Sequence, residues 1–315
     1  MKLIRYLDNL PNRFRRGAVS IGNFDGVHLG HARIIERLLA SATLVGGRAL
    51  VLTMDPHPAQ ILRPHQVPPA LCWTQRKADL LGQLGVDVVI AYPTDENFLE
   101  LEDREFFDRV LVGQLEARAV VEGSNFFFGR DRMGNVDRLR GFCADADVTL
   151  EVVEPVVIDG RIVSSSRIRE LVASGRLEMA RRMLTQPYRI RGTVVRGVGR
   201  GRKLGYPTAN IDGVDTLLPG EGIYAGRLLA DGSAWPAAVS IGSNPTFDEG
   251  ALKIEAHLVG YDGTLYGQEV ELDFLARLRD IYRFDSADKL IVQLDRDVAD
   301  TLRIAAEHEA QGVDQ

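Results

Sequence analysis

The 315-residue sequence has only two cysteines and no apolar run long enough to span a bilayer. Cys72 and Cys143 form neither a CxxC pair nor a disulfide framework, so we expect reduced, buried thiols. The N-terminal segment MKLIRYLDNLPNRFRRG lacks the continuous apolar core of a signal peptide. These absences predict a cytoplasmic protein with no membrane partner.

An excess of positive charge is absent as well, because 38 lysines and arginines stand against 44 acidic residues and give a net charge of −6. This balance argues against a nucleic-acid partner, although it is compatible with a local basic groove for an anionic small molecule. Low-complexity tracts and internal repeats are also missing. A hydrophobic content of 45% and a charged content of 26% are typical of folded chains, and this length favours two domains.

The first half of the sequence alternates short apolar runs with helical patterns, which indicates βαβ units and a parallel sheet. We expect strands over residues 19–24, in GRALVLTM, in VDVVIAYP and in ARAVVEG. Apolar residues recur at helical spacing between these runs, at Leu29, Ile34, Ile35, Leu38 and Leu39, at Leu80, Leu81 and Leu84, and at Phe106, Phe107, Val110 and Leu111. The segment SSSRIRELVASGRLEMARRML then predicts two short helices broken at Gly175.

The pattern changes after TQPY, and we place the domain boundary there, with domains over residues 1–184 and 185–315. From Tyr188 onward the strand patterns follow one another with only turns between them, in YRIRGTVVRG, GIYAGRLLAD, AWPAAVSIG, LKIEAHLVG and QEVELDFLARL. Their succession predicts an antiparallel barrel or sandwich. A final helix begins behind residues 284–286 and carries on one face Leu290, Ile291, Leu294, Val298 and Leu302.

Two histidines, His28 and His31, stand three residues apart in SIGNFDGVHLGH, between an apolar run and a helical pattern. At this spacing both rings can reach one ligand, and a glycine turn before a helix presents backbone N–H groups to an anion. Zinc would need a third ligand, and the other histidines have no matching spacing with an acid or a thiol. A hydrolase nucleophile is disfavoured because no GxSxG or cysteine site accompanies the pair. The histidines alone leave open a phosphate site and a plain helix cap.

GNFDGVHLGH resembles the HxGH signature of the nucleotidyltransferase superfamily, in which the histidines hold ATP phosphates and stabilise charge on the α-phosphorus. VSSSRIR resembles the second signature, a serine-rich turn that opens a helix with an arginine one turn in, although alone it also fits a plain N-cap. The resemblance implies that His28, His31 and Arg169 are catalytic, with Arg169 gripping the departing pyrophosphate. It also implies ATP contacts from Gly22, Asn23, Phe24, Asp25, Asn125, Ser165 and Ser166.

Two further segments fit the same domain. TMDPHP follows the second expected strand, and its prolines favour a rigid loop. EGSNFFFGRDRMGN follows another strand and resembles the family segment GxDFxFG, which borders the nucleotide and the flavin, with Asn125 where Asp is commonest. The resemblance implies flavin contacts from Asn125, Phe126 and Phe128, whereas three phenylalanines alone would equally suit a hydrophobic core.

The second half begins with GTVVRGVGRGRKLGYPTANI, which is rich in glycine and basic residues. A dinucleotide-binding loop should open a helix, and here Pro207 and a β-type TANI follow instead; a P-loop needs GK[ST], and here Leu204 follows Lys203. We therefore interpret the segment as a flexible basic flap whose backbone N–H groups can wrap phosphates.

GRGRKLGYPTANI, GIYAG, SIGSNPTF and IEAHLVGYDGTLYG resemble, in order, the motifs of the riboflavin kinase family. The whole chain resembles the bacterial bifunctional riboflavin kinase/FAD synthetases over roughly residues 18–305. This implies a Rossmann-like α/β nucleotidyltransferase domain of the HxGH superfamily, followed by a six-stranded antiparallel Greek-key barrel with a C-terminal helix.

The resemblance also implies the residues of the kinase site. Thr208 and Asn210 would place Mg²⁺ on ATP, and Glu255 would contact the flavin as the general base toward the ribityl 5′-hydroxyl. Arg279 would be a second flavin contact. Kinase ATP contacts are implied for Gly199, Gly201, Lys203, Gly205, Pro207, Thr208 and Asn210. Strand periodicity alone leaves Glu255 open, because Ile254, Ala256 and Leu258 could equally define the inward face.

The expected activity is therefore phosphorylation of riboflavin to FMN by the second domain and adenylylation of FMN to FAD, with release of pyrophosphate, by the first. The expected partners are riboflavin, FMN, FAD, ATP, ADP, pyrophosphate and Mg²⁺, together with weak self-association. In one alternative the first domain adenylylates another phosphate, such as a pantetheine or nicotinamide nucleotide. In another the chain is a flavin sensor or carrier without turnover. Motifs for catalysis in both halves favour the enzyme.

Overall fold

The computed structural model describes the backbone of residues 1–244 and 249–313, and the side chains of these residues except at 200, 243–252 and 311–313. Part of the SIGSNPTF motif therefore lies outside the described residues. The chain divides into two compact units. The first comprises Met1–Pro68 and Trp73–Ser165, and the second comprises Pro69–Cys72 and Ser166–Gln315.

The first unit is built on a sheet of six parallel strands, with two short antiparallel ladders beside it. In chain order the strands of this unit are β1 (Lys2–Ile4), β2 (Ala18–Ile21), β3 (Ala49–Met54), β4 (Val88–Tyr92), β5 (Ala119–Gly123), β6 (Phe127–Phe128), β7 (Gly134–Asn135), β8 (Thr149–Val153), β9 (Val157–Ile158) and β10 (Arg161–Ile162). The parallel sheet has the order β1-β4-β3-β2-β5-β8, while β6 pairs with β7 and β9 with β10. The expected α/β architecture is confirmed.

Helices cover both faces of this sheet, which is why its central strands are apolar throughout. The helices are α1 (Leu29–Leu44), α2 (Ala59–Leu62), α3 (Thr74–Gln83), α4 (Glu96–Leu99), α5 (Asp103–Phe106), which continues into a π-helical segment (Phe107–Gln114), and α6 (Val136–Asp145). Single 3₁₀ turns lie at Leu7–Asn9, Asn12–Phe14, Pro64–Gln66 and Arg130–Arg132. The helical patterns expected from the sequence bury Ile35 and Leu38 of α1 on one face and Phe107 and Leu111 on the other.

The strand order creates a switch point between β2 and β5. From β2 the chain moves outward through β3 and β4, and it then returns to β5 on the other side of β2. In open α/β sheets the carboxyl ends of the strands at such a point form the crevice where ligands bind. The segment that carries His28 and His31 leaves β2 at this end.

Within the parallel sheet, the observed strands differ from the prediction in three places. The strand expected over 19–24 ends at Ile21, because the chain turns there and Phe24 and Val27 adopt positive φ values of 45° and 39°. The strands β1 and β8 were not expected. β1 has three residues on the sheet edge, and β8 is only half-buried, so neither has the apolar run that marked β3, β4 and β5.

The second unit begins with two short helices and continues as a closed barrel of six antiparallel strands. Its elements are α7 (Ser165–Ala173, beginning on the last residue of the first unit), α8 (Leu177–Arg181), β11 (Tyr188–Val195), α9 (Arg200–Lys203), β12 (Ala209–Asp212), β13 (Gly222–Ala230), β14 (Ser233–Asn244), β15 (Glu249–Leu258), β16 (Glu269–Arg279) and α10 (Ala287–Val313). Gly175, at φ +70°, separates α7 from α8 as predicted.

The barrel has the order β11-β12-β15-β14-β13-β16. The strands β13, β14 and β15 form a meander, and β16 returns beside β13, which is the Greek-key arrangement expected from the sequence. The C-terminal helix is present, and Leu290, Ile291, Leu294 and Val298 of its predicted face are partly buried, but the last member of that face is not. Leu302 is 44% exposed, whereas Thr301 and Ala305 are buried, so the core-facing stripe lies one residue away from Leu302.

Both cysteines are free and buried, as predicted. Burial raises the pKa of the Cys143 thiol to about 11, so this side chain is an unreactive thiol at neutral pH. Within residues 1–244 and 249–313, no helix combines the length and apolar character needed to cross a membrane.

Candidate active sites

His28 and His31 cap the N-terminus of α1 reciprocally. The His31 backbone N–H donates to Nδ1 of His28 at 3.2 Å, and the His28 backbone N–H donates to Nδ1 of His31 at 3.3 Å. The rings stack with their centroids 3.6 Å apart. The helix-cap interpretation is therefore correct, but capping uses only one nitrogen of each ring. Because both Nδ1 atoms accept, each neutral ring carries its proton on Nε2 and can donate that N–H to a ligand.

Burial keeps both imidazoles neutral. It lowers the pKa of His28 to about 4, with a small opposing effect from a backbone hydrogen bond. It lowers the pKa of His31 well below the ordinary histidine value, and the charges of His28 and Lys77 lower it further. At pH 7 the pair therefore presents hydrogen-bond donors without formal charge, at the positive end of a sixteen-residue helix.

Gly30 lies between the two histidines and allows the rings to stack on the helix end. A Cβ at this position would lie 3.0 Å from Cε1 and 3.1 Å from Nδ1 of His28, tighter than most real Cβ contacts, so the His28 ring would have to shift slightly. Phe24 packs on the other side, with its ring centroid 5.0 Å from that of His31. The glycine of the HxGH spacing thus lets the first histidine ring keep this position without crowding.

A chain of polar contacts supports the loop before the histidines. Lys77 of α3 is buried and donates through Nζ to Thr53 Oγ1 at 3.2 Å, and Thr53 Oγ1 donates to the Asn23 carbonyl at 3.1 Å. The Asn23 amide in turn contacts Nε2 of His57 at 3.0 Å, which ties the TMDPHP loop to the glycine turn. The sequence analysis missed Lys77, because a lone lysine in a helical pattern usually faces solvent.

Glu122 on β5 is a second residue that the sequence analysis missed. Its carboxyl is buried and accepts the backbone N–H of Ile21, the last residue of β2, at 2.6 Å. Burial raises the pKa of the Glu122 carboxyl well above its ordinary value, which favours the protonated, uncharged form. The sequence signal for Glu122 was the presence of a charged residue inside an apolar strand pattern.

The residues expected from the second signature fall on both units. In the first unit, Ser165 Oγ donates to the Asp25 carbonyl at 2.9 Å, which ties Ser165 to the loop that leads to His28. Ser166 and Arg169 belong to the second unit, where Arg169 Nε donates to the Pro69 carbonyl at 2.8 Å. Their expected contacts with ATP stay predictions.

The phenylalanine segment is divided between core and surface. Phe128 is buried, with Phe106 and Phe142 against it, and Phe126 stacks on it with a centroid separation of 5.4 Å. Asn125 lies beside Gly123 at the carboxyl end of β5, as a nucleotide or flavin contact would require. Phe128 is thus a core residue, and its contribution to flavin binding stays a prediction. Throughout the described part of the chain, no three His, Cys, Asp or Glu side chains gather closely enough to hold a metal ion.

The second unit contains a cavity of about 180 Å³ on the outer side of the barrel, beside α10. Six of the expected kinase residues line it: Gly199, Gly201, Thr208, Asn210, Glu255 and Arg279. Lys203, Gly205 and Pro207 are near neighbours in sequence but do not contribute to its wall. Further lining residues that the sequence analysis did not select include Tyr206, Ser240, Lys253, His257, Tyr282 and Asp297.

Glu255 lies opposite Asn210 of β12 and opposite Ser240 of β14 in the barrel ladders. Directly opposed residues of antiparallel strands share one face of the sheet, so these three side chains project together into the cavity. Ile254 and Ala256 are buried in the core of the barrel. The question left open by periodicity is thus answered, because Glu255 faces away from the core and nevertheless lines a cavity.

The glycine-rich flap is less irregular than expected. It contains the single turn α9, preceded by Gly199 in the left-handed region at φ +74°. Gly197 lies directly against the Asn210 side chain, where a Cβ would overlap the amide group. The flap can therefore approach Asn210 closely only with glycine at this position.

Two contacts hold the end of the flap against the barrel and α10. Tyr206 Oη donates to Asp295 Oδ1 at 2.5 Å, and this hydrogen bond, together with burial, raises the pKa of Tyr206 to about 12. Nδ1 of His257 donates to the Pro207 carbonyl at 2.8 Å. Both contacts fix the residues immediately before Thr208, so they position that hydroxyl.

The guanidinium of Arg279 is already engaged within the second unit. It forms a forked ion pair with the buried carboxylate of Asp297, with a shortest distance of 2.7 Å, and it lies 4.8 Å from the ring centroid of Tyr282. Gln293 donates to the same carboxylate at 2.9 Å. The arginine therefore stabilises the cavity wall through its ion pair with Asp297. A direct contact between Arg279 and the flavin stays a prediction.

Comparisons with known proteins match both halves of the chain. A family model described as FAD synthetase matches residues 11–167, and one described as riboflavin kinase matches residues 184–305. The bifunctional riboflavin kinase/FMN adenylyltransferase of Pseudomonas fluorescens is 35% identical over 97% of this chain and 98% of its own. The corresponding proteins of Haemophilus influenzae and Escherichia coli are 34% and 31% identical over 95% and 94% of this chain, and over 97% and 96% of their own.

The fold of the whole chain also resembles a solved structure. The crystal structure described as a macrolide-efflux protein from Streptococcus pneumoniae superposes with a TM-score of 0.85 at 28% identity and covers 95% of this chain and 97% of its own. The relatives named above, the order of the two family models and the geometry of both sites lead to one conclusion. The chain belongs to the family of bifunctional riboflavin kinase/FMN adenylyltransferases.

Proposed function

We propose that this chain phosphorylates riboflavin with MgATP in its barrel unit and adenylylates the resulting FMN in its α/β unit. The observation that carries the proposal is that each unit brings together side chains suited to one of the two reactions. Asn210, Glu255 and Thr208 share one cavity, and the His28/His31 pair lies at the switch point of the parallel sheet. We propose the functional division at residues 184 and 185.

In the kinase step, Glu255 takes the proton from the ribityl 5′-hydroxyl of riboflavin as that oxygen attacks the γ-phosphorus of ATP. The bond between the γ-phosphorus and the β–γ bridging oxygen breaks, and ADP leaves. A positioned general base of this kind contributes roughly 10²–10⁴ in rate. Asn210 and Ser240 lie directly opposite Glu255 in the barrel ladders, so the carboxylate lines the cavity on the same face as these two side chains.

The donor set of this cavity fits Mg²⁺. A threonine hydroxyl and an amide oxygen, on Thr208 and Asn210, are hard oxygen ligands that leave positions for ATP oxygens and water. Bound there, the ion would neutralise charge on the phosphates. The protein's own contribution is to orient these two oxygens, through the contacts of Tyr206, His257 and Gly197.

In the adenylyl step, a phosphate oxygen of FMN attacks the α-phosphorus of ATP. The bond to the α–β bridging oxygen breaks, and pyrophosphate leaves. The attacking oxygen is already deprotonated at neutral pH, so the site needs to supply orientation and hydrogen bonds rather than a base. The Nε2–H groups of His28 and His31 provide these at the positive end of α1, where loss of one such donor costs about 10²–10³ in rate.

The test is a time course of the purified chain with riboflavin, ATP and MgCl₂, with the flavins separated by chromatography. We expect FMN to form first and FAD to follow, and EDTA to stop the formation of FMN. Unchanged riboflavin would contradict the kinase assignment. FMN without FAD would contradict the adenylyltransferase assignment and would favour another phosphate acceptor for the first unit.

A further inference from the structure

Five arginines surround one hollow at the edge of the first unit where the parallel strands begin. The hollow encloses about 400 Å³ and is lined by Arg13, Arg15, Arg16, Arg48, Arg118, Gly46 and Gly47. Arg48 directly precedes β3, and Arg118 directly precedes β5. His28 and His31 follow the opposite end of β2, so the hollow is separate from the proposed adenylyltransferase site.

The hollow carries a surplus of positive charge in a chain whose net charge is −6. Two carboxylates balance part of it: Glu116 pairs with Arg16 at 2.8 Å and with Arg15 at 3.6 Å, and Asp87 pairs with Arg48 at 3.2 Å. Neither carboxylate lines the hollow. Among the five lining arginines and these two ion-pair partners, the balance is a surplus of three positive charges.

The arginines have donors to spare for a ligand. The side chain of Arg15 is largely enclosed, and its Nε atom is buried without a hydrogen-bond partner among the described residues. Arg118 donates from Nη1 to the Val45 carbonyl at the end of α1, at 3.3 Å. A guanidinium has five N–H donors, so one such contact uses only part of its capacity.

Glycines bring the arginine-bearing segments together. A Cβ on Gly47 would come within 2.6 Å of the Arg16 carbonyl and of Gly17 Cα. Gly17 likewise lies directly against the backbone of Arg48. The two segments therefore touch backbone to backbone, which holds Arg16 and Arg48 on one wall of the hollow.

We propose that this hollow binds a compact oligophosphate through bidentate guanidinium contacts. Its volume lies within the range of about 300–1,000 Å³ that is common for small-molecule sites, but its charged lining excludes an apolar ligand. Arginine is the side chain best suited to phosphate, because its planar fork matches two oxygens at once. A concave site on an acidic chain fits a small anion rather than a nucleic acid. The ligand is a free oligophosphate or the phosphate chain of a nucleotide.

The unmodified protein allows a direct test with phenylglyoxal, which reacts with accessible arginines, followed by peptide mass mapping. We expect millimolar tripolyphosphate to slow modification of Arg15, Arg48 and Arg118 at least fivefold more than that of the exposed controls Arg109 and Arg140. Protection by ATP as well would identify a nucleotide phosphate chain as a ligand, and protection by tripolyphosphate alone would identify the free anion. Equal protection of the controls, or the same effect from sulfate at matched ionic strength, would overturn the proposal.

A pair of variants provides a second test. The double substitution Arg15→Gln with Arg118→Gln should remove one class of tripolyphosphate site in calorimetric titrations or weaken it at least tenfold. The control Arg109→Gln with Arg140→Gln changes the net charge equally and should bind like the unmodified protein. Formation of FAD should continue in both variants, which shows that the first unit is folded. Equal titrations for both variants would contradict the proposal.

Discussion

Glu122 on β5 accepts the backbone N–H of Ile21 on β2 at 2.6 Å, past the end of the ladder between these two strands. The last pair of that ladder is Val19 with Val120, so the carboxyl replaces a backbone carbonyl at the point where the strands separate. The separation opens the switch point beside the loop that leads to His28. We infer that Glu122 is a positioning residue for the adenylyl site.

Glu122→Val and Glu122→Gln test this inference. Valine would leave the buried Ile21 N–H without its partner, at a cost of about 1–3 kcal/mol, and would free the start of the loop. We expect at least a tenfold lower kcat/KM for FAD formation from FMN, with FMN formation from riboflavin unchanged. Glutamine keeps an acceptor oxygen and should restore FAD formation to within a few-fold. A loss of FAD formation in both variants would show that the carboxylic acid itself is needed, rather than the hydrogen bond to Ile21.

Gly30 offers a sharper test of the histidine geometry. Gly30→Ala introduces a methyl group 3.0 Å from the His28 ring and should displace that ring. A misplaced catalytic group loses rate steeply, so we expect a fall of about tenfold or more in kcat for FAD formation. The matched control is Gly141→Ala on α6, where a methyl group meets open space. Equal rates for the two variants would contradict the stacked arrangement of the histidines.

The buried histidines also predict how stability depends on pH. Folding lowers the pKa of His28 to about 4, whereas in the unfolded chain it titrates near 6.5. Between these values the unfolded chain binds more protons, so the free energy of unfolding should fall as the pH falls from about 6.5 to about 4. His31 acts in the same direction. Glu122, whose pKa is raised by burial, acts in the opposite direction, because its contribution is lost as the pH rises.

The difference in the free energy of unfolding between the unmodified protein and His28→Asn isolates the contribution of His28. Asparagine keeps an N-cap acceptor, so the pH-dependent part of the difference should be on the order of 3 kcal/mol between pH 7 and pH 4. Urea unfolding followed through Trp73, with Trp235→Phe in the background, reports the first unit. The exposed His65→Asn is the control. A difference that stays constant with pH would contradict the neutral state of His28.

Tyr206 connects the flap to α10, and its loss should affect the kinase alone. Tyr206→Phe removes the hydrogen bond to Asp295 and should raise the KM for ATP in FMN formation several-fold, because Thr208 loses part of its support. Tyr261→Phe removes a similar tyrosine–aspartate hydrogen bond, to Asp231, outside the cavity. Steady-state kinetics of FMN formation should separate the two variants. Identical KM values would show that the contact does not position the flap.

Much of the fold could be predicted because its signals are local. The strand β3 is a continuous apolar run, buried on both faces, and the barrel strands follow one another with turn residues between them. The strands β1 and β8 were not predicted, because a short edge strand and a half-buried strand lack this signal. The early end of β2 escaped because the turn depends on positive φ at Phe24, which the residue type does not suggest.

The site residues also divide into those with a local sequence signal and those that depend on tertiary contacts. His28 and Glu255 could be found because they belong to motifs with a fixed spacing. Lys77 and the role of Glu122 could not, because each side chain meets its partner only through the tertiary fold, Lys77 at Thr53 and Glu122 at Ile21. A single polar residue in an apolar or helical pattern carries no sign of the partner it will meet.

The central claim is that two independent sites on this chain act in sequence, and a mixing experiment tests it most directly. Glu255→Gln should convert FMN to FAD but leave riboflavin unchanged, and His28→Ala should stop at FMN. Neither variant alone should make FAD from riboflavin.

The two variants should therefore be mixed with riboflavin, ATP and MgCl₂, and the flavins should be separated by chromatography over time. The account predicts that FMN released by His28→Ala is taken up by Glu255→Gln, so that FAD appears in the mixture. FAD from either variant alone, or a mixture that forms FMN but no FAD, would contradict it.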